Sequence, residues 1–384
     1  MINLEDMFYK VFGTNVEYLY KTPGRVNLIG EHLDYNGGTV LPCTISRYVY
    51  TYVSIRSDST IRIFSTNFNT TFERSLKDLE YHKEDDWATY AFGVFYILKK
   101  LGYVVPKGLN ILIDSTIPLA SGLSSSAAFL DGMLFMLNDL FRFKISKVEL
   151  IKIAKMVEND YCKVQTGIMD QASIMFGEKN KAILLNTLDL SYELVNVDLG
   201  EYTFVILQTN KERRLVDSKY NERVSECNKA IEIINKEYKP VTYLTELKVD
   251  DLPKINSLLP EALYRRVKHI VTEQQRVFDF VKALENKDIM KMGELFNSSH
   301  ESLKNDYEVT GVHLDTITEL AKINGAVGAR MTGAGFGGCA VCLLKKEKFN
   351  TFKEKVLFAY HEKTGLTGDI YTVDIMRGPK KMQL

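Results

Sequence analysis

Residues 109–141 constrain the fold most: a short apolar strand pattern, LNILIDST (109–116), leads through PLASGLSSSAAF (118–129) into an apolar helix pattern, AAFLDGMLFMLNDLF (127–141). A strand that is apolar over most of its length has no solvent face, so it predicts a buried strand with the helix packed on the same core. The loop between them sets Gly122 at a tight turn, and the hydroxyls of Ser124, Ser125 and Ser126 stand where the helix begins. Free N–H groups and the dipole of a helix start favour an anion, and small residues let a phosphate approach the backbone. No Gly-Lys-Ser/Thr follows, so the loop is not a P-loop. A serine-rich helix cap without any ligand is the plain structural alternative.

A second segment, PGRVNLIGEHLDYNGG (23–38), crowds Arg25, Glu31, His32 and Asp34 between a proline turn and a Gly-Gly pair, with Val26, Leu28 and Ile29 threaded among them. A solvated loop needs no such apolar residues, and a core strand does not tolerate the charges. The pattern predicts one wall of a polar pocket anchored by a buried strand.

Around these segments, YVYTYVSIRSDSTIRIFST (48–66) reads as two strands about a Ser-Asp-Ser turn, and 87–102 as a helix ending at Gly102. The helix over 146–161 opens with Ser146 and Glu149 at capping-box spacing. Strands are expected at 181–187 and 202–210, then long helices at 218–237, 264–286, 288–307 and 312–324. A glycine-rich strand turn (328–345), a helix (347–364) and a strand (369–376) close the chain. At 384 residues the chain exceeds one compact core, and the elements lack a regular βαβ rhythm. The expected class is therefore α+β in two lobes, 1–200 and 201–384.

Charge narrows the partners. Lys+Arg and Asp+Glu balance at 49 each, so no net field favours nucleic acid or an anionic membrane. Apolar runs fall short of the ~20 residues that span a bilayer, and MINLEDMFYKVFG carries no basic leader. A cytoplasmic protein is expected. The 5 cysteines (Cys43, Cys162, Cys227, Cys339 and Cys342) fit a reducing compartment. Cys339 and Cys342 form a C-x-x-C within a strand pattern, where residues three apart face opposite ways, so structural thiols are expected.

Two further segments bear possible chemistry. The glycines of RMTGAGFGGCAVCLL (330–344) precede a strand, unlike those of a dinucleotide fold, and read as a tight turn or a loop closing over another loop's ligand. TGIMDQASIMFG (166–177) sets Asp170 at a helix start, as a cap or a base. Glu158, twelve residues earlier, reads as a surface charge or a metal ligand.

Together these segments resemble the GHMP kinase superfamily, and within it the galactokinases. GRVNLIGEHLDYNGG resembles the sugar-binding signature, PLASGLSSSAA the phosphate loop and MTGAGFGGC the third motif. GIMDQ, LVDSKYNERVSEC, HIVTEQQRV and SHESLKNDYEVTG are similar to further galactokinase segments, in family order from about residue 12 to the end. The resemblance implies a two-lobed α+β fold with the active site between the lobes. It implies ATP-dependent phosphorylation of D-galactose at the anomeric hydroxyl, giving α-D-galactose 1-phosphate, by a monomer or weak dimer that binds sugar and MgATP. ATP phosphates would be wrapped by Ala120, Ser121, Gly122, Leu123, Ser124, Ser125 and Ser126, with Mg²⁺ held by Ser126 and Glu158. Asp170 would be the general base and sugar contact, and Arg25 its partner. Glu31, His32, Asp34, Gly167 and Tyr220 would contact the sugar, and Ser65 the nucleotide.

The sequence departs from the family pattern at Leu33, Gln165, Thr166, Asn186 and Ala334. Leu33 would add an apolar side chain to the sugar wall. The rival readings are a kinase for a related sugar, such as N-acetylgalactosamine, a uronic acid or arabinose, and a non-catalytic galactose- and ATP-binding regulator. A regulator would be expected to lose part of the serine loop or a catalytic carboxylate, and Ser124, Ser125, Ser126, Glu158 and Asp170 are all present.

Overall fold

The computed structural model describes residues 3–118, 121–164, 167–211 and 216–384. Ala120 of the phosphate loop and the family departures Gln165 and Thr166 lie outside them. In chain order the elements are α1 (Leu4–Phe12), β1 (Tyr18–Asn27), β2 (Thr39–Val40), β3 (Pro42–Ile55), β4 (Thr60–Ser65) and β5 (Thr70–Ser75). Next come α2 (Thr89–Lys100), β6 (Leu109–Ser115), α3 (Ser125–Phe141), α4 (Lys147–Met156), a π-helical turn (Val157–Tyr161) and α5 (Met169–Phe176). Strands β7 (Lys181–Asn186), β8 (Tyr192–Asn196) and β9 (Tyr202–Gln208) lead to the helices α6 (Val216–Glu237), α7 (Leu252–Asn256), α8 (Glu261–Glu285), α9 (Ile289–Asn305) and α10 (Val312–Ile323). The chain ends with β10 (Gly328–Thr332), β11 (Cys339–Lys345), α11 (Phe349–Thr364), β12 (Asp369–Val373) and β13 (Lys380–Met382).

The strands form a 6-stranded sheet, β13-β1-β3-β6-β4-β5, a 4-stranded sheet, β10-β11-β9-β12, and a 3-stranded sheet, β2-β7-β8. This is the α+β organisation expected, with three corrections. The strands on either side of the Ser-Asp-Ser turn are not a hairpin: β6 inserts between β3 and β4, antiparallel to one and parallel to the other. Its residues Leu109–Ile113 are buried throughout, and only a central position covers both faces of such a strand. Pro23 is not in a turn but inside β1, where a register shift between Pro23 and Arg25 accommodates it. The expected last strand stops at Val373, and the chain crosses back to pair β13 with β1 and Ile375 with Ile45 in the first sheet.

Local signals explain the boundaries near the site. Ser146 and Glu149 make a reciprocal capping box at the start of α4. Apolar faces of both halves merge into one continuous core, in which Cys339 and Cys342 are buried without a disulfide. The loop from Leu28 to Gly38 is gripped from the far half of the chain: Gly30 N–H donates to Glu273 Oε1 (2.9 Å) and Thr39 N–H to Gln274 Oε1 (2.8 Å), both on α8. Among the described residues, no helix is long and apolar enough to cross a membrane.

Candidate active site

A cavity of about 200 Å³ opens where this gripped loop meets the start of α5. β1 and the following loop contribute Arg25, Glu31, His32 and Asp34; α3 contributes Ser126 and the π-helical turn Glu158. Gly167 and Asp170 come from the approach to α5, Tyr220 from α6, and Gly333 and Ala334 from the third glycine segment. A second, largely apolar cavity of about 170 Å³ is lined by Ser65, Ser125 and Ser126, with Trp87 and Phe68 stacked 5.7 Å apart. Ser126 borders both cavities.

Ser121, Gly122 and Leu123 line neither of these two cavities. Ser121 Oγ donates to Pro118 O (2.7 Å), Gly122 O accepts from Arg25 Nη1 (2.6 Å), and the buried Leu123 accepts Arg25 N–H through its carbonyl (3.2 Å). The loop therefore fixes Arg25 as well as facing the cavities at Ser125 and Ser126.

Arg25 in turn fixes Asp170. Its Nε (2.8 Å) and Nη2 (2.6 Å) both donate to Asp170 Oδ1, while the Ser124 hydroxyl donates to Oδ2. The Arg25 side chain is only 5% exposed and that of Asp170 is 32% exposed, so the carboxylate keeps an open side towards the cavity. An ion pair fixed by two bonds to one oxygen is a charge-assisted, orientation-specific arrangement.

The remaining walls are polar. Glu31 is buried; burial raises its carboxyl, opposed by Arg330 3.6 Å away and by the Gly333 N–H that it accepts (2.6 Å). Asn27 Nδ2 also donates to Glu31. His32 takes a left-handed backbone (φ 67°), and burial pushes its imidazole down to about 3, so the ring is neutral. Its Nδ1 lies 3.1 Å from the Tyr35 hydroxyl, and its buried Nε2 has no hydrogen-bond partner. The half-buried Asp34 carboxyl is pushed up to about 6, first by desolvation and then by the neighbouring charge of Asp170. Gly167 has no room for a side chain: a Cβ there would strike Asp34 Oδ2.

Leu33 corrects an expectation. It is fully buried in the core beneath the loop and adds no apolar surface to the sugar wall. Glu158 is 3% exposed and accepts from Gln171 Nε2 (2.6 Å). Nearby, the buried Gln171 Oε1 has no protein hydrogen-bond partner and is a spare acceptor beside the cavity. No group of three or more His, Cys, Asp or Glu among the described residues is placed to hold a metal alone. Glu158 and Ser126 thus fit a hard divalent cation that completes its shell with phosphate oxygens, the habit of Mg²⁺.

Several residues carry the site without having been singled out in the sequence. Arg330, fully buried on β10, donates to the carbonyls of Leu28 (2.8 Å) and Asn27 (3.2 Å) and so fixes the loop from behind. Its signal was a lone charge in the apolar strand pattern GARMT. Glu273, Tyr35 and Tyr307 act from helix and turn segments whose sequence context is ordinary.

Comparison with known proteins agrees with this geometry. Residues 6–55 match the galactokinase galactose-binding signature, 89–178 the GHMP kinases N terminal domain and 280–362 the GHMP kinases C terminal family. A galactokinase of Enterococcus faecalis is 44% identical across 99% of both chains, and one of Ligilactobacillus salivarius is 44% identical across 98% of both. The structure of Lactococcus lactis galactokinase complexed with galactose superposes with a TM-score of 0.94 at 40% identity, covering 99% of each chain. A mevalonate kinase shares the fold alone, with a TM-score of 0.69 at 20% identity over 94% of this chain and 99% of that one. Identity of this extent over the whole length, together with a matching sugar signature, makes this chain an enzyme of the galactokinase family within the GHMP kinases.

Proposed function

We propose that this chain transfers the γ-phosphoryl group of ATP to the anomeric hydroxyl of D-galactose, giving α-D-galactose 1-phosphate and ADP. The observation that carries the reading is Asp170, held by Arg25 on one oxygen and Ser124 on the other, facing a cavity whose hydrogen-bonding walls suit a polyol. Glu31, His32, Asp34 and Tyr220 would pair with sugar hydroxyls, and Gly167 leaves the space that Asp34 fills. The apolar cavity with Ser65 and Trp87 suits a nucleotide base, and phosphates at Ser126, which borders both cavities, would lie next to the sugar. The loop from Ala120 to Ser126 would wrap those phosphates.

In the reaction the anomeric oxygen attacks the γ-phosphorus, the bond to the β-phosphate oxygen breaks, and the hydroxyl proton passes to Asp170. Phosphoryl transfer proceeds through a loose transition state, so a late, partial proton transfer asks only a weak base of Asp170. Arg25 holds that carboxylate and adds positive charge near the transferring group. Mg²⁺, held by Ser126 and Glu158, would neutralise charge on the phosphates.

The same reading divides the chain into lobes 1–200 and 201–384, with β13 returning to the first sheet. Cytoplasmic action fits the free cysteines, and a monomer or weak dimer suffices because one chain supplies every cavity residue named.

ATP consumption against galactose, glucose, N-acetylgalactosamine, galacturonate and arabinose tests the proposal, with the phosphorylated position read by phosphorus NMR. Galactose should exceed glucose by roughly 100-fold or more, the cost of two lost hydrogen bonds with buried partners. Comparable efficiency on the two sugars would sink the galactose assignment.

A further inference from the structure

Behind the sugar cavity runs a chain of four hydrogen-bonding groups that phosphoryl transfer does not use. His32 Nδ1 lies 3.1 Å from the Tyr35 hydroxyl, Tyr35 lies 2.7 Å from the Tyr307 hydroxyl, and Tyr307 lies 3.2 Å from Cys227 Sγ. Three separate parts of the fold supply them: the loop after β1, the residues just past α9, and α6. Tyr307 is fully buried and packs its ring 4.8 Å from His32 and 4.6 Å from His269.

Hydroxyls and a thiol can each donate one bond and accept others, whereas a neutral imidazole has one nitrogen of each kind. The chain can therefore run in two directions. From the Cys227 thiol towards His32, it ends on an accepting Nδ1, and Nε2 carries the proton into the cavity. In the reverse direction Nδ1–H donates to Tyr35, and Nε2 is an acceptor. All four groups stay neutral near pH 7: burial holds His32 at about 3, lifts Cys227 to about 11 and lifts both tyrosines well above their usual range. The charged and titratable neighbours are Arg266, His269 and Glu273 on α8, Tyr220, Arg223 and Glu226 on α6, Arg330 on β10 and, beside Tyr35, Asp34.

We infer that Tyr35 and Tyr307, backed by Cys227, are positioning residues that hold the neutral His32 ring in place and make its Nε2 the reader of one sugar hydroxyl. This rests on the galactose reading above. A hydroxyl satisfies Nε2 in either direction of the chain, because it both donates and accepts. A deoxy carbon leaves Nε2 buried and unpaired, because no protein group lies within hydrogen-bond reach of it. Such a loss is the kind that a site built around hydrogen bonds punishes.

The test compares kcat/KM for galactose and its 2-, 3-, 4- and 6-deoxy analogues in the wild type, Tyr307→Phe and Tyr35→Phe. In both variants the preference over one and the same deoxy sugar should fall by about tenfold, with the other preferences kept. Equal loss on every sugar, or unchanged preferences, would overturn the inference, since a merely structural role moves all substrates together. Nitrogen NMR of the His32 ring in the sugar-free wild type gives a second readout that needs neither variant nor substrate. It should show a neutral ring, one nitrogen protonated, from pH 5 to 9, and shift when Tyr307→Phe breaks the chain. A ring that titrates in that range, or is indifferent to the variant, would also overturn it. Failure to phosphorylate galactose at all would strike the functional reading and leave the ring measurement standing.

Discussion

The hydroxyl of Ser124 donates to Oδ2 of Asp170, on the carboxylate oxygen opposite the one that takes both bonds from Arg25. Ser124 occupies the N-cap position of α3, yet it has a left-handed backbone (φ 59°, ψ 50°) and makes no side-chain capping bond. A serine there normally turns its oxygen to the backbone N–H two or three residues on. Here the helix start forgoes that bond, and a non-glycine residue in this conformation costs about 1–3 kcal/mol. The geometry of the Asp170 carboxylate is what the serine serves.

Ser124→Ala should therefore lower kcat by roughly tenfold, the worth of one hydrogen bond at about 1.4 kcal/mol, with little change in galactose affinity. Asp170→Asn should lower it by about 10²–10⁴ while the sugar still binds. Steady-state kinetics with calorimetric galactose titration separates the two quantities. Near-normal turnover in folded Asp170→Asn would remove Asp170 from the role of base.

Gly167→Ala tests the sugar wall by shape alone. The added methyl must displace the Asp34 carboxylate, which has no spare room on that side. KM for galactose should rise at least tenfold, the order of one well-made bond, with KM for ATP nearly unchanged. A rise confined to ATP would transfer this glycine to the nucleotide side.

Much of this site was legible because its residues sit in short, polar-on-apolar segments. The crowding of Arg25, Glu31, His32 and Asp34 marked a pocket wall, and the serine loop before an apolar helix marked a segment that reaches the cavities at Ser125 and Ser126. Strand order was not legible: β6 enters between β3 and β4 for reasons of burial that no turn signal carries. Leu33 misled because its place between two expected sugar contacts in the signature does not say which way its side chain points, and the structure turns it into the core. Arg330 and Tyr307 reach the site from about 300 and 270 residues further along the chain, distances at which only the folded structure can pair them.

Glu158→Gln and Ser126→Ala should raise the Mg²⁺ concentration needed for half-maximal activity, by roughly tenfold for the carboxylate and less for the hydroxyl. Galactose affinity should hold. An unchanged Mg²⁺ requirement with weakened galactose binding would exchange the two sub-sites.

Asp131, fully buried in α3 with both carboxylate oxygens unpartnered, is a liability for stability. Burial, with repulsion from Glu158 and Asp170, raises its pKa well above the ordinary value. The folded state then keeps a proton that the unfolded chain releases, so stability falls as pH rises from about 4, by at most ~1.4 kcal/mol per pH unit. Asp131→Asn removes that slope. Urea unfolding of the sugar-free protein should give a variant that is more stable than wild type at pH 7 and converges with it near pH 4. Equal midpoints across this range would mean that the carboxyl finds a partner.

Asp34 links sugar binding to pH. Its carboxyl is pushed up to about 6, by desolvation first and by the charge of Asp170 second, so the sugar-free protein gains a proton there as pH falls below 6. An ionised carboxylate offers only acceptors to sugar hydroxyls, whereas the protonated form must reorient or lose a bond. Galactose affinity measured by calorimetry should be flat from pH 7 to 8 and weaken below about 6, by up to about tenfold per pH unit. His32 adds nothing to this limb, since it stays neutral down to about 3. Glu31 is another carboxyl lining the cavity that burial raises, so the variants must tell the two apart. Asp34→Asn should lower affinity at pH 7 and abolish the limb. Asp170→Asn, by removing the neighbouring negative charge, should move the limb to lower pH without abolishing it. An affinity that does not change between pH 5 and 8 in the wild type would show that the sugar does not need the Asp34 charge, and would take this residue out of the binding wall.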